Sequence, residues 1–159
     1  ANEFRLASSH IDDGGRLPRQ YTGEGQGAKR NISPPLEWYN VPDGTKSLAL
    51  VALDVDAPWT IWVVVDIPPT AKGFPEGFSG GREDNDGDSD EVVGGIIREG
   101  YCDMKKRGWH APVLPDHGHH RIEFKLYAID DELNHLGKKV TKEKLEESIV
   151  GHVLGEAVL

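Results

Sequence analysis

The chain has 159 residues and a formal net charge of −9, and both numbers exclude some classes of protein. A chain of this length is expected to form one domain, residues 1–159, that buries roughly 70% of its unfolded surface without disulfides. The negative charge argues against nucleic acid and anionic membranes as partners, because both require a basic surface. The single cysteine, Cys102, excludes an internal disulfide framework and fits a reducing compartment, so we expect a cytoplasmic protein. No segment approaches the roughly 20 apolar residues of a membrane-spanning helix.

The N-terminal part of the chain is rich in turn-forming residues. Residues 12–30 are dense in glycine and charge, without a sustained period, and predict an extended arm with turns. In the next segment, residues 31–38, Pro34 and Pro35 forbid a helix. The alternation of Ile32, Leu36 and Trp38 there predicts a short edge strand or a buried clasp.

Two apolar runs follow, Leu48–Val55 and Ile61–Ile67, and each has the length of a β-strand. Both runs are apolar on both faces of the pleat, which predicts strands covered from two sides. Asp54 and Asp56 end the first run on the face that carries Leu50. Because an unpaired buried charge is costly, these carboxylates need partners or solvent, and they mark a candidate site.

Residues 70–91 lose all periodicity, become glycine-rich and then acidic, and predict a solvated surface excursion. Asp84, Asp86, Asp88 and Asp90 alternate like the ligands of a calcium loop. However, Gly87 is the fourth residue counted from Asp84, whereas the helix-loop-helix calcium pattern has its glycine at the sixth loop position. The segment Gly77–Gly81 matches the spacing of a nucleophile elbow around Ser79. That motif requires a strand before it and a helix after it, and neither is predicted here.

Histidines precede the next predicted strand, Arg121–Ile129, whose apolar residues alternate with polar ones. His117 and His119 would lie on one side of an extended segment, which suggests zinc, but two nitrogen ligands are too few for a structural zinc site. A histidine-lined loop beside a pocket is the better interpretation. We therefore expect no metal and no cofactor.

The C-terminal segment contains the predicted helix. Thr141 is a suitable N-cap for a helix that starts near Lys142, with Leu145 and Ile149 facing inward and Gly151 ending it. The last residues, 152–159, are consistent with a returning strand and also with a helical period.

Taken together, these motifs resemble the phosphatidylethanolamine-binding protein (PEBP, or Raf kinase inhibitor-like) family, in its compact prokaryotic and plant-type branch. The matching segments follow the family's order from about residue 14 to the C terminus. They are Asn31–Trp38, Val41–Ser47, Asp54–Pro58, Trp62–Pro68, Gly118–Arg121, Leu126–Asp130 and Gly151–Leu154.

The resemblance implies a mainly β fold, in which a large central antiparallel sheet packs against a smaller sheet, with one or two helices near the C terminus. It also implies a non-enzymatic protein with a small pocket for phosphate-like anions or phospholipid head groups. Relatives act as kinase-pathway or protease inhibitors or as signalling adaptors, and compact relatives are often dimers. The resemblance therefore implies a kinase or protease as protein partner, and a homodimer.

Carried onto this sequence, the family's pocket has Asp54 as its acidic floor and His120 as a hydrogen-bond donor. Pro58 and Trp59 form its wall, and the loop 110–113 forms its rim. The full set that the resemblance assigns to ligand binding is Asp54, Asp56, Pro58, Trp59, Ile61, His110, Val113, His120 and Ile122.

Three positions in this set depart from the family pattern. Ile61 replaces a histidine, Ile122 replaces a tyrosine, and Val113 replaces a small glycine at the rim. A hydrogen bond to a charged group contributes about 1.5–3 kcal/mol, so the loss of two donors weakens anion binding by roughly two to four powers of ten. We therefore expect a weakened pocket.

Two alternatives remain open from the sequence. Asp54 and His120 could activate water as a weak hydrolase, although no credible nucleophile accompanies them. Alternatively, the pocket has degenerated and the protein acts as an interaction module, through the acidic segment 82–91 or through the sheet. A separate interpretation of the pair itself is that Asp54 and His120 simply satisfy each other at the end of a strand.

Overall fold

A computed structural model shows eight β-strands and one α-helix within the residues it describes. The described residues are 3–9, 11, 33–55, 59–75, 78, 98–99, 122–131 and 140–159. In chain order the elements are β1 (Arg5–Ala7), β2 (Leu36–Tyr39), β3 (Ser47–Asp54), β4 (Trp59–Ile67), β5 (Gly73–Phe74), β6 (Arg98–Glu99), β7 (Ile122–Ile129), α1 (Lys142–Ser148) and β8 (Val153–Val158). The described part of the chain holds no helix that is long and apolar enough to cross a membrane.

The large sheet has five antiparallel strands in the order β6-β4-β3-β7-β8. Strand β3 lies at its centre, and seven of its eight residues are buried. This confirms the two apolar runs as strands, although β4 begins two residues earlier than predicted, at Trp59. The predicted strand Arg121–Ile129 is confirmed as β7, Ile122–Ile129.

The small sheet has three strands in the order β1-β2-β5, so β2 is central within it. Of the two alternatives predicted for this segment, the edge strand is therefore wrong, whereas Leu36 and Trp38 are buried as the other alternative expected. The reason is that β1, which has no periodic pattern in its residues, pairs with one side of β2, while β5 pairs with the other. The Trp38 indole Nε1 donates a hydrogen bond to the carbonyl oxygen of Ala71 at 2.7 Å, which ties β2 to the segment before β5.

The segment that begins at residue 70 is not wholly a surface excursion, because its first part contributes to the core. Phe74 in β5 is buried, and its ring lies edge-on to Trp38 with the centroids 5.2 Å apart. Phe78 stacks on Phe74 at a centroid distance of 4.1 Å. Phe74 and Phe78, which follow no periodic pattern in the sequence, thus pack into the core between the two sheets. The suggested calcium loop and Ser79 lie outside the described residues.

The large sheet separates two apolar cores. The first lies between the two sheets, and the second lies between the large sheet and α1. Alternating residues of β3 serve the two cores in turn, as expected for side chains that alternate across a strand. The first core contains Leu6, Ile11, Leu36, Trp38, Leu48, Leu50, Ala52, Ile61, Trp62, Val64, Ile67, Phe74, Phe124, Leu126, Ala128 and Ala157. The second contains Ala49, Val51, Val63, Val65, Tyr127, Ile129, Val140, Leu145 and Ile149.

Helix α1 begins as its sequence predicts. The Thr141 side chain accepts a hydrogen bond from the backbone N–H of Lys144 at 3.2 Å, which satisfies one of the unpaired donors of the first turn. Leu145 and Ile149 are buried against the sheet. The helix ends at Ser148 with Ile149 as its C-cap, two residues before the predicted stop at Gly151, which adopts a φ of +82° in the turn that leads into β8. The strand interpretation of the last residues is thereby confirmed.

Tyr127 lies in the second core, among several carboxylates. Burial has the largest effect on its phenol and, together with nearby negative charge, raises the pKa of Tyr127 to about 12. The carboxylates responsible come from α1, β8 and β7, and they are Glu146, Glu156 and Glu123. On the helix side of the sheet, three carboxylates therefore act on a phenol that keeps its proton at neutral pH.

Gly73 is the position of closest backbone approach in the small sheet. A Cβ atom at this residue would lie 2.3 Å from the carbonyl oxygen of Leu36 on the neighbouring strand. We expect Gly73→Ala to lower the free energy of unfolding by about 1–3 kcal/mol, because backbone cannot yield as a flexible side chain can. Chemical denaturation measures this. Gly155→Ala is the control, because a Cβ atom there would meet only side chains, the nearest being Pro42 at 3.4 Å. An equal loss of stability in both variants would contradict the explanation.

The raised pKa of Tyr127 predicts a loss of stability in alkali. An unfolded tyrosine releases its proton near pH 10, whereas folded Tyr127 keeps its proton until about pH 12. Between these values the folded state binds more protons, so the free energy of unfolding falls as the pH rises. We expect Tyr127→Phe to show a smaller fall from pH 10 to 12, relative to its own stability at pH 8. Parallel pH curves for the two proteins would contradict the assignment.

Candidate functional site

Asp54 ends the central strand β3 and lies beside residues of two neighbouring strands. In the strand register it opposes Trp59 of β4 and Ile122 of β7. Its side chain is buried, with 5% of its surface exposed, and it is not an isolated charge within the protein. A buried carboxylate therefore sits at the point where three adjoining strands of the large sheet begin or end.

The alternation of β3 decides which core Asp54 faces. Leu50 and Ala52 lie in the first core, and Asp54 is the next residue on the same face. Ile122 opposes Asp54 and also packs against the first core. Directly opposed residues of antiparallel strands have Cβ atoms roughly 4.5–5.5 Å apart, so these two side chains are neighbours. The carboxylate thus lies at one end of the space between the two sheets.

Ile61 reaches the same core through an irregularity in β4. Ala52 pairs with Trp62, but the next residue, Leu53, pairs with Thr60, so Ile61 is an extra residue on β4. Such a bulge redirects side chains that strict alternation would place on the other face. As a result, Ile61 and Trp62 both contribute to the first core, and Ile61 is 1% exposed. An aliphatic side chain thus occupies the position that the resemblance assigned to a histidine.

The structure places only part of the sequence-predicted ligand set. It brings Asp54 and Ile122 together, buries Ile61 in the adjoining core and places the backbone of Trp59 opposite Asp54. The proximity of His120 to Asp54 remains a prediction. The residues of the set that lie outside the described part of the chain are Asp56, Pro58, His110, Val113 and His120.

A second buried carboxylate was not predicted from the sequence. Glu99 of β6 is 4% exposed, and it accepts a hydrogen bond of 2.8 Å from the indole Nε1 of Trp62. Trp62 pairs with Ala52, the residue that precedes Asp54 on the same face. Glu99 is therefore held two strands away from Asp54, beside the same core. No periodic pattern marks the two-residue strand β6, so only the acid itself could have served as a signal.

The chemistry available to the described residues is restricted. Asp54 and Glu99 can accept hydrogen bonds or attract a cation, whereas Ile61 and Ile122 exclude water and offer no hydrogen bond. Among the described residues, no group of three or more histidine, cysteine, aspartate or glutamate side chains could hold a metal ion. The described residues thus place two buried carboxylates, Asp54 and Glu99, beside the apolar first core.

The hydrogen bond between Trp62 and Glu99 predicts different effects for two substitutions. Glu99→Gln retains an acceptor of the same size, whereas Glu99→Leu leaves a buried indole N–H unsatisfied. We expect the leucine variant to be less stable than the glutamine variant by about 1–3 kcal/mol. Denaturant unfolding followed by circular dichroism measures both. Equal stability of the two variants would show that the indole N–H does not depend on this carboxylate.

Comparison of the sequence with protein families places the chain in context. The family profile described as "Phosphatidylethanolamine-binding protein" matches residues 7–159. A UPF0098 protein of Methanothermobacter thermautotrophicus is 41% identical over 159 residues, which cover 98% of this chain and 95% of the relative. A UPF0098 protein of Aquifex aeolicus is 34% identical over 158 residues, with coverages of 97% and 84%.

Solved structures agree with the fold described above. The PEBP homologue CT736 of Chlamydia trachomatis superposes with a TM-score of 0.79 at 28% identity, and the match covers 100% of this chain and 95% of that one. Escherichia coli YbcL, described as a member of the mammalian PEBP family, gives a TM-score of 0.81 at 24% identity, with coverages of 99% and 96%. The YbcL likeness concerns the fold alone. The mainly β architecture expected from the sequence is confirmed, and the chain belongs to the phosphatidylethanolamine-binding protein family.

Proposed function

We propose that this protein is a non-enzymatic binding protein whose pocket takes small phosphate-like or phospholipid head-group ligands with low affinity. The observation that carries the proposal is the position of Asp54, a buried carboxylate opposed by Trp59 on one neighbouring strand and by Ile122 on the other. The family's description as phosphatidylethanolamine-binding supports a head-group ligand.

The low affinity follows from the residues around Asp54. Ile61 and Ile122 supply no hydrogen-bond donors, and the Asp54 carboxylate repels an anion placed next to it. A zwitterion such as phosphoethanolamine could direct its ammonium group toward Asp54 and its phosphate toward His120. A zwitterionic ligand is therefore favoured over free phosphate in this proposal.

The same neighbours support binding rather than catalysis. General acid–base chemistry requires groups that take up and release protons at the reacting atoms. The isoleucines beside Asp54 cannot do so, which would leave Asp54 and His120 to carry any reaction. The pocket is accordingly proposed to capture its ligand unchanged.

A role in protein interaction is a second candidate, supported by a specific feature of the surface. Exposed aliphatic side chains are concentrated near the C terminus, at Val150, Val153, Leu154 and Val158. Apolar side chains grouped in this way on a surface are typical of contact sites. A kinase, a protease or a second copy of the chain would be candidate partners.

The binding proposal predicts that phosphate and phosphoethanolamine bind at millimolar strength or worse, measured by calorimetric titration. It also predicts that Ile122→Tyr tightens binding by about tenfold to a hundredfold, because it adds one hydroxyl donor toward a charged ligand. Ile122→Phe is the matched control, since it adds the ring without the donor and should bind as weakly as the natural protein.

Three results would contradict the proposal. Micromolar binding to the natural protein would reject the weakened pocket. Equal gains in the tyrosine and phenylalanine variants would reject a hydrogen bond at residue 122. Release of inorganic phosphate from phosphoethanolamine, absent in an Asp54→Asn variant, would indicate an enzyme.

A further inference from the structure

The outer edge of the large sheet carries an unusual group of exposed side chains on β8. Leu154 is 43% exposed and Val158 is 48% exposed, and the carboxylate of Glu156 lies between them in the strand. Val153 and, just before the strand, Val150 are exposed as well. We call Val153, Leu154, Glu156 and Val158 the β8 patch. Four of the five large exposed apolar residues in the described part of the chain belong to this short C-terminal stretch.

The backbone of β8 can accept another strand on its outer side. Phe124 and Leu159 exchange two hydrogen bonds, of 3.1 and 2.9 Å, so they form a hydrogen-bonded pair of the antiparallel ladder. Such pairs alternate with pairs whose N–H and C=O groups point away from each other. Val158 and Glu156, which oppose Lys125 and Tyr127, therefore direct their backbone groups outward. No strand among the described residues pairs with this edge.

Among the carboxylates near the β8 patch, Glu156 differs in having no lysine partner within the described residues. Two other carboxylates that act on Tyr127 have lysine partners, since Glu123 lies 3.7 Å from Lys125 and Glu146 lies 3.0 Å from Lys142. Glu156 acts on the same phenol but forms no ion pair within the described part of the chain. The exposed edge thus offers the carboxylate of Glu156 beside Val158, and Glu156 forms no ion pair among the described residues, whereas the neighbouring Lys125 is paired with Glu123.

We infer that the outer edge of β8 binds an extended basic segment of another protein by strand addition. Glu156 and Val158 share a face, because they lie two positions apart in the regular part of the strand, whereas Leu154 is the extra residue at a register shift and its Cδ1 lies close to Gly44. A lysine or arginine opposite Glu156, with an apolar residue opposite Val158, would match this face in both charge and hydrophobicity. Strand addition of this kind takes its affinity from backbone hydrogen bonds and its specificity from alternate side chains.

A second copy of the chain fits the β8 edge less well. Symmetric pairing about Glu156 would place two glutamates opposite each other, and like charges in that position are destabilising. Both copies would also carry a net charge of −9.

This binding surface is separate from the proposed pocket. Glu156 opposes Tyr127, whose side chain lies in the second core on the helix side of the sheet. Asp54 belongs to the other face, toward the small sheet. The two functions can therefore be tested independently, and failure of one would leave the other standing.

The test is a titration of the isotopically labelled full chain, followed by NMR. The probe is the capped peptide Ser-Val-Thr-Lys-Thr-Val-Ser, and its partner carries glutamate in place of lysine. We expect amide shifts in β8 and tighter binding of the lysine peptide. Glu156→Lys should weaken lysine-peptide binding by about three- to tenfold and reverse the preference, as expected for an exposed cross-strand charge pair.

Two further variants make the result specific. Glu147→Lys makes the same charge change at an exposed position of α1, outside the strand, and should leave peptide affinity within about twofold, since solvent screens an exposed charge that is not paired with the peptide. Val158→Pro removes an outward N–H and should abolish binding of both peptides. Equal affinity for the two peptides, or equal effects of Glu147→Lys and Glu156→Lys, would overturn the inference. Shifts in β8 that depend on protein concentration without peptide would also overturn it, because they would indicate a second copy at this edge.

Discussion

The structure depends on one strand that is buried on both faces and paired along both edges. Strand β3 has β4 on one side and β7 on the other, and its alternating side chains fill one core toward the small sheet and another toward α1. A strand in this position has no exposed surface on which a polar residue could be tolerated cheaply. The first charged residue, Asp54, therefore comes where the strand ends, and the same constraint that organises the fold also places the candidate site.

The strands around β3 differ in regularity, and that difference shapes the site. The pairing of β3 with β7 runs without interruption over eight residue pairs, whereas the pairing with β4 contains two register shifts. The shift at Ile61 adds a second large side chain to the first core next to Trp62. The buried hydrogen bond from Trp62 to Glu99 then holds the short strand β6 against β4. The result is a packed apolar core with two buried acids, Asp54 and Glu99, at its margin.

Much of the central fold could be predicted from the sequence, because long periodic segments carry their own signal. The two apolar runs, the strand before residue 129 and the helix capped by Thr141 were predicted and are confirmed. The short strands were not predicted, because β1, β5 and β6 have only two or three residues each. Such strands exist through pairing with neighbours, as at Gly73, where the absence of a side chain allows close backbone contact.

The candidate site was predictable only in part, for a related reason. Asp54 stands out because it interrupts an apolar strand, and the identity of Ile61 and Ile122 could be compared with a family pattern. The position of Glu99 depends on tertiary pairing that leaves no trace in local sequence. The exposed side chains of β8 were likewise hidden, since aliphatic residues in a strand ordinarily predict burial.

The uninterrupted pairing of β3 with β7 limits the insertions and deletions that β7 can tolerate. Ile122 and Glu123 are consecutive, yet they serve opposite sides of the sheet, so inserting or deleting one residue within β7 would exchange their surroundings. An aliphatic neighbour of Asp54 would become an acid, and the apolar residues farther along would turn outward. Length changes by two residues would keep each later side chain on its present side of the sheet.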